Sequence, residues 1–333
     1  MNAAMPVLVD VPCPLCGGAG RRVVVSAPDP LGLQPRAFSV VRCAACGLAY
    51  TDPRPEAASL GRYYDDIYSG RGGDAMSSAQ TSQGMWYVNE VRWKLLRQHL
   101  HLVPEDRVLD VGCGYGAFLA FLHGRTRSRI HGIDADEGSI RDNLCRSHGE
   151  LRVGELAGAA YPEGHFAFAS MLHSLEHMAD PVATLRELHR VVRPGGHVMV
   201  EVPNFRSALR CLFGRAWFPL MLPQHLTHFE PDTLRRTMEA AGLARVVALQ
   251  SAWCPSELTT SVAPLLGRLL GIDPGVAPGL RARLLGLSLV LLFVFVDLPL
   301  SALLVLMGRS GCLVALAQVT DAPEGGAATP APG

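Results

Sequence analysis

Three groups of residues have the types and spacing to do chemistry. The first is Val108-Leu-Asp-Val-Gly-Cys-Gly-Tyr-Gly-Ala-Phe118, in which an apolar run leads into glycines at positions 112, 114 and 116. A strand that turns through glycines into a helix lets backbone approach a ligand closely and aims a helix N-terminus at it. Asp110 stands at the strand's end, and Asp134 closes the next apolar stretch, Ile130-His-Gly-Ile-Asp134. A carboxylate at that second strand tip is placed to accept hydrogen bonds from ribose hydroxyls, so the pattern predicts a nucleoside-cofactor site. The second group is two knuckles, Cys13-Pro-Leu-Cys16-Gly17 and Cys43-Ala-Ala-Cys46-Gly47. Four thiolates so spaced predict a structural zinc site with all four positions filled; a redox dithiol or unrelated free thiols are the alternatives. The third group is histidine-rich: His173-Ser-Leu-Glu176-His177, and Gln224-His225-Leu-Thr-His228-Phe229 after an insertion rich in aromatics and prolines.

Which cofactor fits the glycine turn follows from charge. Gly112-x-Gly114-x-x-Ala117 formally satisfies the dinucleotide fingerprint, but an acid two residues before the first glycine opposes a pyrophosphate on the helix N-terminus. Asp110 suits a cationic ligand better, such as the amino group and sulfonium of S-adenosylmethionine. Downstream features agree. The run from Asp110 to Gly116, then Asp134, Leu175-Glu-His177 with Asp180-Pro181, and Arg193-Pro-Gly-Gly196 together resemble the class I S-adenosylmethionine-dependent methyltransferases over roughly residues 80 to 320. The resemblance implies S-adenosyl-L-methionine held by Asp110, Gly112, Gly114, Tyr115, Asp134, Ala135, Glu155, Leu156, Leu172 and His173. It also implies a helix, here Trp86 to Leu102, over that pocket.

Elements that would position these groups can be read from periodicity. Strands are expected at Arg107–Val111, Arg129–Asp134, Leu151–Val153, Phe166–Leu172, His197–Val202 and Ala244–Gln250. Helices are expected at Ala117–Gly124, Glu137–His148, Pro181–Val192 and Thr233–Ala241, with Asp180 as a cap. A last strand, Cys312–Val319, is expected to return antiparallel beside the sixth. The fold class is therefore α/β: a doubly wound, Rossmann-like seven-stranded sheet, an N-terminal zinc ribbon, and an apolar helical insertion between the last two strands. The domain reading is ribbon 1–55, linker 56–84 with a Gly/Ser-rich loop from Arg71 to Gln83, core 85–254 plus 310–320, insertion 255–309, and a disordered tail 321–333.

Methyl transfer from a sulfonium to a hydroxyl needs a positioned acceptor and a proton acceptor. His177, His228 and His225 are the candidate catalytic residues. Glu176 and His177 have three readings: a brace for the turn after strand four, a base at His177, or with His173 a metal triplet. The ubiquinone-biosynthesis O-methyltransferases, which this region is similar to, carry Glu-x-x-Glu-His here in association with a divalent metal; this chain has His173 in place of the first Glu. A zinc ribbon before such a core is similar to a group of bacterial methyltransferases linked to sugar and cell-surface glycan modification. The acceptor classes implied are a small molecule, a sugar or a lipid-linked molecule. The rivals are an NAD-dependent oxidoreductase and a non-catalytic membrane-associated scaffold.

Composition bounds the rest. Of 333 residues 49% are hydrophobic and 18% charged, and net charge is zero, so bulk electrostatics gives no reason to expect a nucleic-acid partner. Nine cysteines, four in tight pairs, fit a reducing compartment, and Met1 to Pro12 reads as no secretory signal. A cytoplasmic protein attached to the inner face of a membrane is expected. Leu284 to Met307 is apolar enough to span, but it lies between two strands of one sheet and is interrupted by Asp297 and Pro299. The 13 residues before Asp297 would make only about 20 Å of helix. A hairpin within 257–309 is expected to dip into the inner leaflet, with Arg268, Arg281, Arg283 and Arg309 at the headgroups. A lid or a dimer face is the alternative.

Overall fold

The computed structural model describes residues 7–28, 36–56, 83–271 and 280–320. The expected Gly/Ser-rich loop, apart from Gln83, and the expected disordered tail lie outside the described residues, as does the side chain of Arg281.

The N-terminal part is built from short strands: β1 (Leu8–Val9), β2 (Arg21–Pro28), β3 (Ala37–Cys43), β4 (Ala49–Thr51) and β5 (Arg54–Pro55). β2 and β3 form the hairpin expected between the cysteine knuckles. Its sheet takes a fourth strand, β11 (Thr227–His228), from the histidine-rich segment far along the chain. Val41, Leu48 and Tyr50 share one buried cluster with Phe229, Leu234 and the main sheet. The ribbon is thus fused to the histidine-bearing wall of the core.

The main sheet contains β6 (Arg107–Val111), β7 (Arg129–Asp134), β8 (Glu150–Val153), β9 (Phe166–Leu172), β10 (Val192–Pro203), β12 (Arg245–Ala252) and β13 (Cys312–Gln318). Its order is β12-β13-β10-β9-β6-β7-β8. β8, β7, β6, β9 and β10 are parallel, while β13 runs antiparallel between β10 and β12. Every residue of β9 from Phe166 to Met171 is buried, as expected for a central parallel strand covered on both faces. The order in which strands are added reverses between β6 and β9, and ligands in such sheets bind beyond the strand tips at that point.

Helices flank the sheet: α1 (Gln83–Leu96), α2 (Ala117–Thr126), α3 (Glu137–Arg141), α4 (Pro181–Val191), α5 (Ala208–Phe213) and α6 (Pro231–Ala240). Asp180 caps α4 by accepting from Ala183 N at 2.9 Å, as expected. Two helices differ from expectation. The helix expected to reach His148 stops at Arg141, because the Asn143 side chain binds backbone instead: its Nδ2 donates to Gly114 O at 2.7 Å and its Oδ1 accepts from Cys145 N at 2.9 Å. α1 ends at Leu96, six residues early, and its buried face is Asn89, Arg92, Leu95 and Leu96, with Tyr87 exposed.

The apolar insertion is a helical hairpin in which α7 (Glu257–Leu269) packs on α8 (Leu280–Leu292) and on the turn that leads into α9 (Leu298–Leu306). The expected break at Asp297 is absent. A π-helical turn, Phe293–Asp297, joins α8 to α9, so Arg283 to Leu306 is one helix of 24 residues, about 36 Å long. The wider turn accommodates Pro299, which has no N–H to give. Asp297 is fully buried and caps α7, accepting from Leu258 N at 3.4 Å and Thr259 N at 2.7 Å. Its charge therefore meets orphan helix-end donors and the positive end of a dipole.

Candidate active site

The glycine turn is held open from both sides. Gly112, Gly114 and Gly116 have φ of 74°, 49° and 77°, the left-handed region that glycine enters without strain. A Cβ at Gly112 would stand 2.5 Å from Ser174 Cβ, and one at Gly116 would stand 2.2 Å from Asn143 Oδ1. Asp134 braces the loop: Oδ2 accepts from Gly114 N at 2.8 Å and Oδ1 from Asp136 N at 2.9 Å. Burial raises the pKa of Asp134, against the two backbone N–H bonds that lower it. Tyr115 and Leu172 are half-buried beside the turn, Ala135 and Glu155 are exposed at strand tips, and Leu156 is buried beneath them. These positions line one edge of the sheet around the β6–β9 reversal, so backbone donors, an open carboxylate tip and an apolar seat converge there, the set a nucleoside-bearing cofactor requires.

Asp110 is nearly covered and accepts from Ser170 Oγ at 2.7 Å. Burial pushes its carboxyl up to about 7, although Ser170 and the Arg92 guanidinium pull it down. Its negative charge at neutrality is therefore only partly developed until a cation sits beside it. That moderates the electrostatic case against a pyrophosphate, and it makes a cationic ligand the partner that would complete the charge.

Sequence reasoning missed an ion network between α1 and β10. Arg92 Nε donates to Glu201 Oε2 at 2.9 Å and Nη2 to Oε1 at 2.6 Å, with both side chains buried. Arg92 Nη1 reaches Asn89 Oδ1 at 2.9 Å. Burial alone would raise the Glu201 pKa, but Arg92 and His173 hold it far below the usual carboxylate range. The signal present in the sequence was a lone acid in the apolar run Val198-Met-Val-Glu-Val202. His173 sits just past β9 with φ of 56°, a strained value for a side chain of its size. Its Nε2 lies 3.2 Å from Glu201 Oε1 and its Nδ1 3.6 Å from Glu176 Oε1. Desolvation opposes charge on this ring, but the two carboxylates outweigh it and raise the pKa to about 10.

The expected triplet of His173, Glu176 and His177 does not form one face. Residues 175 to 177 make a single 3-10 turn, His173 turns toward Glu201, and the third member of the cluster is His225. Ligand atoms of Glu176, His177 and His225 lie within 4.8 Å of one another. His177 Nδ1 is 3.0 Å from Gln224 O, and His225 Nδ1 is 2.9 Å from Pro219 O. A carbonyl only accepts, so each ring carries a proton on Nδ1. Burial, with His177 and His228 nearby, keeps His225 neutral by lowering its pKa. Glu176 is buried with no hydrogen-bond partner on either oxygen. His228 is placed differently. Its Nε2 meets Thr51 Oγ1 of β4 at 3.2 Å, its ring lies against Phe205, and burial lowers its pKa to about 3. It joins ribbon to core as a neutral bracing residue.

In the ribbon, Cys13 Sγ lies 3.4 Å from Cys46 Sγ and Cys16 Sγ 3.6 Å from Cys43 Sγ, and all four sulfurs fall within 4.8 Å. Disulfides require about 2 Å, whereas a tetrahedral ion with bonds of about 2.3 Å separates its sulfurs by roughly 3.8 Å. Gly17 and Gly47, at φ of 71° and 77°, close each knuckle by donating to Cys13 O and Cys43 O. The donor set fits one metal ion.

Comparison with known proteins gives the same picture. A methyltransferase-domain family matches residues 86–249. The ubiquinone biosynthesis O-methyltransferase of Paraburkholderia phymatum is 31% identical over 175 residues, covering 50% of this chain and 73% of that protein. The protein of the same name from Ralstonia nicotianae is 32% identical, covering 44% of this chain and 63% of its own length. Among solved structures, an S-adenosylmethionine-dependent methyltransferase from Mesorhizobium loti overlays 68% of this chain and 97% of that one, at 18% identity and a TM-score of 0.44. Taken with the strand order and the glycine turn, the relationship to these O-methyltransferases establishes that the chain belongs to the class I S-adenosylmethionine-dependent methyltransferases.

Proposed function

We propose that the protein methylates a hydroxyl or a sugar carbon of a small-molecule, glycan or lipid-linked acceptor, with the acceptor facing Glu176, His177 and His225. S-adenosylmethionine, when bound, supplies an electrophilic methyl group on a sulfonium. Asp134 and the glycine turn are the residues that would hold its nucleoside, and Asp110 its cationic end. The observation that carries the acceptor assignment is the buried Glu176 carboxylate, which has no hydrogen bond on either oxygen and whose Oε1 faces His173 Nδ1 at 3.6 Å and the His225 Nε2 lone pair at 4.0 Å. Two acceptors so placed favour a proton donor or a cation between them. An acceptor hydroxyl satisfies this by donating to His225 Nε2, and the lowered pKa of His225 keeps that ring neutral and able to receive the proton, with His177 beside it. His177→Ala and His225→Ala should each lower kcat at least tenfold while leaving cofactor affinity unchanged. Turnover is read by mass spectrometry of extracts from a deletion strain, incubated with protein and searched for 14-dalton gains; unchanged turnover in both variants refutes the assignment.

A second reading is favoured by the same orphaned carboxylate: a divalent ion held by Glu176, His177 and His225. It would orient the acceptor and acidify its hydroxyl. Metal analysis before and after chelation, in wild type and Glu176→Gln, separates the two. In the ribbon, the ion assigned is zinc, and its role is structural because the four cysteines fill all four tetrahedral positions and leave none open.

The proposed partner surface is the inner face of a membrane. The described hairpin exposes Leu269 (80%), Phe295 (72%) and Leu306 (86%), and its exposed charges are Arg268, Arg283 and Arg309, with no exposed acid among the described residues of 257–309. Since α7 begins beside Asp297 and runs antiparallel to α8, Arg268 and Arg283 share the tip farthest from the sheet. Tip-first insertion would carry arginines into hydrocarbon at about 3 kcal/mol each. The hairpin therefore lies along an anionic surface with its apolar stripe shallowly immersed. Flotation with phosphatidylglycerol vesicles should recover the full chain and not a chain lacking 257–309; equal recovery refutes the contact.

A further inference from the structure

We infer that the cavity between α1 and α9 holds a hydrocarbon tail on the methyl acceptor. This rests on the methyl-transfer reading for the position of the acceptor's head. The cavity has a volume of about 450 Å³, within the range of sites that take a small molecule. Val88 and Val91 of α1 form one wall, and Leu298, Ala302 and Val305 of α9 form the other. Trp253, whose ring meets Tyr87 at 4.6 Å, lines it near the tip of β12. Such walls gain about 25 cal/mol for each Å² of apolar surface they take from water; Gln250 and Ser251 are the polar residues along the β12 side.

Three observations choose a tail over other occupants. First, α9 lines the cavity with one side and exposes Leu303 and Leu306 on another, and Leu306 also borders the cavity. The cavity is therefore continuous with the apolar stripe of the hairpin. Second, its inner end is Arg92 and Glu201. These satisfy each other, so the end wall presents a neutralised pair rather than a charge seeking a ligand. Third, Glu201 Oε1 is 3.2 Å from His173 Nε2, and His173 follows β9 into the crevice of the glycine turn. A molecule whose tail lies along α1 and α9 would thus bring its head to the end of the sheet where the transferable methyl belongs. The hairpin becomes both the surface contact and the wall that receives a lipid-like acceptor.

The test uses the full-length, metal-loaded protein without detergent and 11-bromoundecanol, an uncharged alkyl chain whose bromine quenches tryptophan. Wild type should show saturable quenching at micromolar probe, and Trp253→Phe should lose most of it. Ala302→Phe and, from the opposite wall, Val88→Phe fill the cavity and should each weaken probe binding at least tenfold. Either variant suffices if the other does not fold, and calorimetry with S-adenosylhomocysteine should give both the wild-type affinity. Linear, unsaturable quenching in wild type would overturn the proposal. So would saturation unchanged by the filling variants, or quenching lost only because a second copy of the chain covers Trp253, seen as a dimer by sedimentation at the assay concentration. Saturable alkyl binding by a protein that ignores S-adenosylhomocysteine would instead refute the methyl-transfer reading and leave the cavity assignment standing.

Discussion

Replacing Asp110 by Asn should make the protein more stable and less able to bind its cofactor. Burial holds the Asp110 carboxyl at about 7 in the folded chain, against an ordinary 3.8. Below pH 4 the group is protonated in both folded and unfolded chains and contributes nothing. Between pH 4 and 7 the folded chain keeps a proton that the unfolded chain has lost, so stability falls as pH rises. At 1.36 kcal/mol per pH unit, the interval from 3.8 to about 7 amounts to about 4 kcal/mol by neutrality, and to about 2 kcal/mol at pH 5. Asp110→Asn keeps an oxygen for Ser170 Oγ, which donates at 2.7 Å, and removes the ionisation. Urea melts of both proteins from pH 5 to 8 should show the variant gaining over wild type by about 2 kcal/mol at the acid end and about 4 at the other. The same ionisation governs the cofactor. A cation beside Asp110 draws its pKa down, so binding of S-adenosylmethionine to wild type at pH 6 should release close to one proton, and at pH 8.5 almost none. Calorimetry in buffers of different ionisation heat reads that number. A variant no more stable than wild type, with a difference flat across pH, would show that Asp110 is not held protonated by burial.

Other perturbations have equally definite outcomes. Arg92→Met leaves the buried Glu201 with His173 alone as ion partner and should cost about 3 kcal/mol, much of it recovered in the Arg92→Met, Glu201→Met double variant; thermal melts of the two decide. Gly116→Ala forces a Cβ against Asn143 at a left-handed backbone position, which costs about 1–2 kcal/mol before the clash is counted. It should abolish cofactor binding in titrations, because Asn143 also holds Gly114 O. Cys46→Ser should release the ribbon ion, read by elemental analysis. It should also lower the melting temperature of the whole chain in one transition, since β11 ties the ribbon sheet to the core.

Periodicity and punctuation made the core legible. Arg107–Val111, Arg129–Asp134 and Phe166–Leu172 stand at their expected bounds, because a parallel strand buried on both faces reads as a short, mainly apolar run bounded by glycine or polar residues. The cysteine knuckles were equally plain. What escaped reading depends on contacts distant in sequence. Asn143 ends its helix because Gly114 O lies within reach, and nothing local announces that. Arg92 reads as a solvent-facing charge until Glu201, 109 residues later, comes to lie beneath it. Asp297 looks like an interruption in an apolar helix, yet it caps α7 39 residues upstream. His225 joins Glu176 only through the fold of the insertion after β10, so the triplet suggested by i, i+3, i+4 spacing was local where the actual cluster is tertiary.

The central claim is that the carboxylate-flanked glycine turn binds a sulfonium nucleoside. Titration calorimetry of the metal-loaded protein with S-adenosylmethionine and S-adenosylhomocysteine should give saturable heats at one site per chain, lost in Asp134→Ala. No heat with either ligand, alongside saturation by NADH, would contradict it.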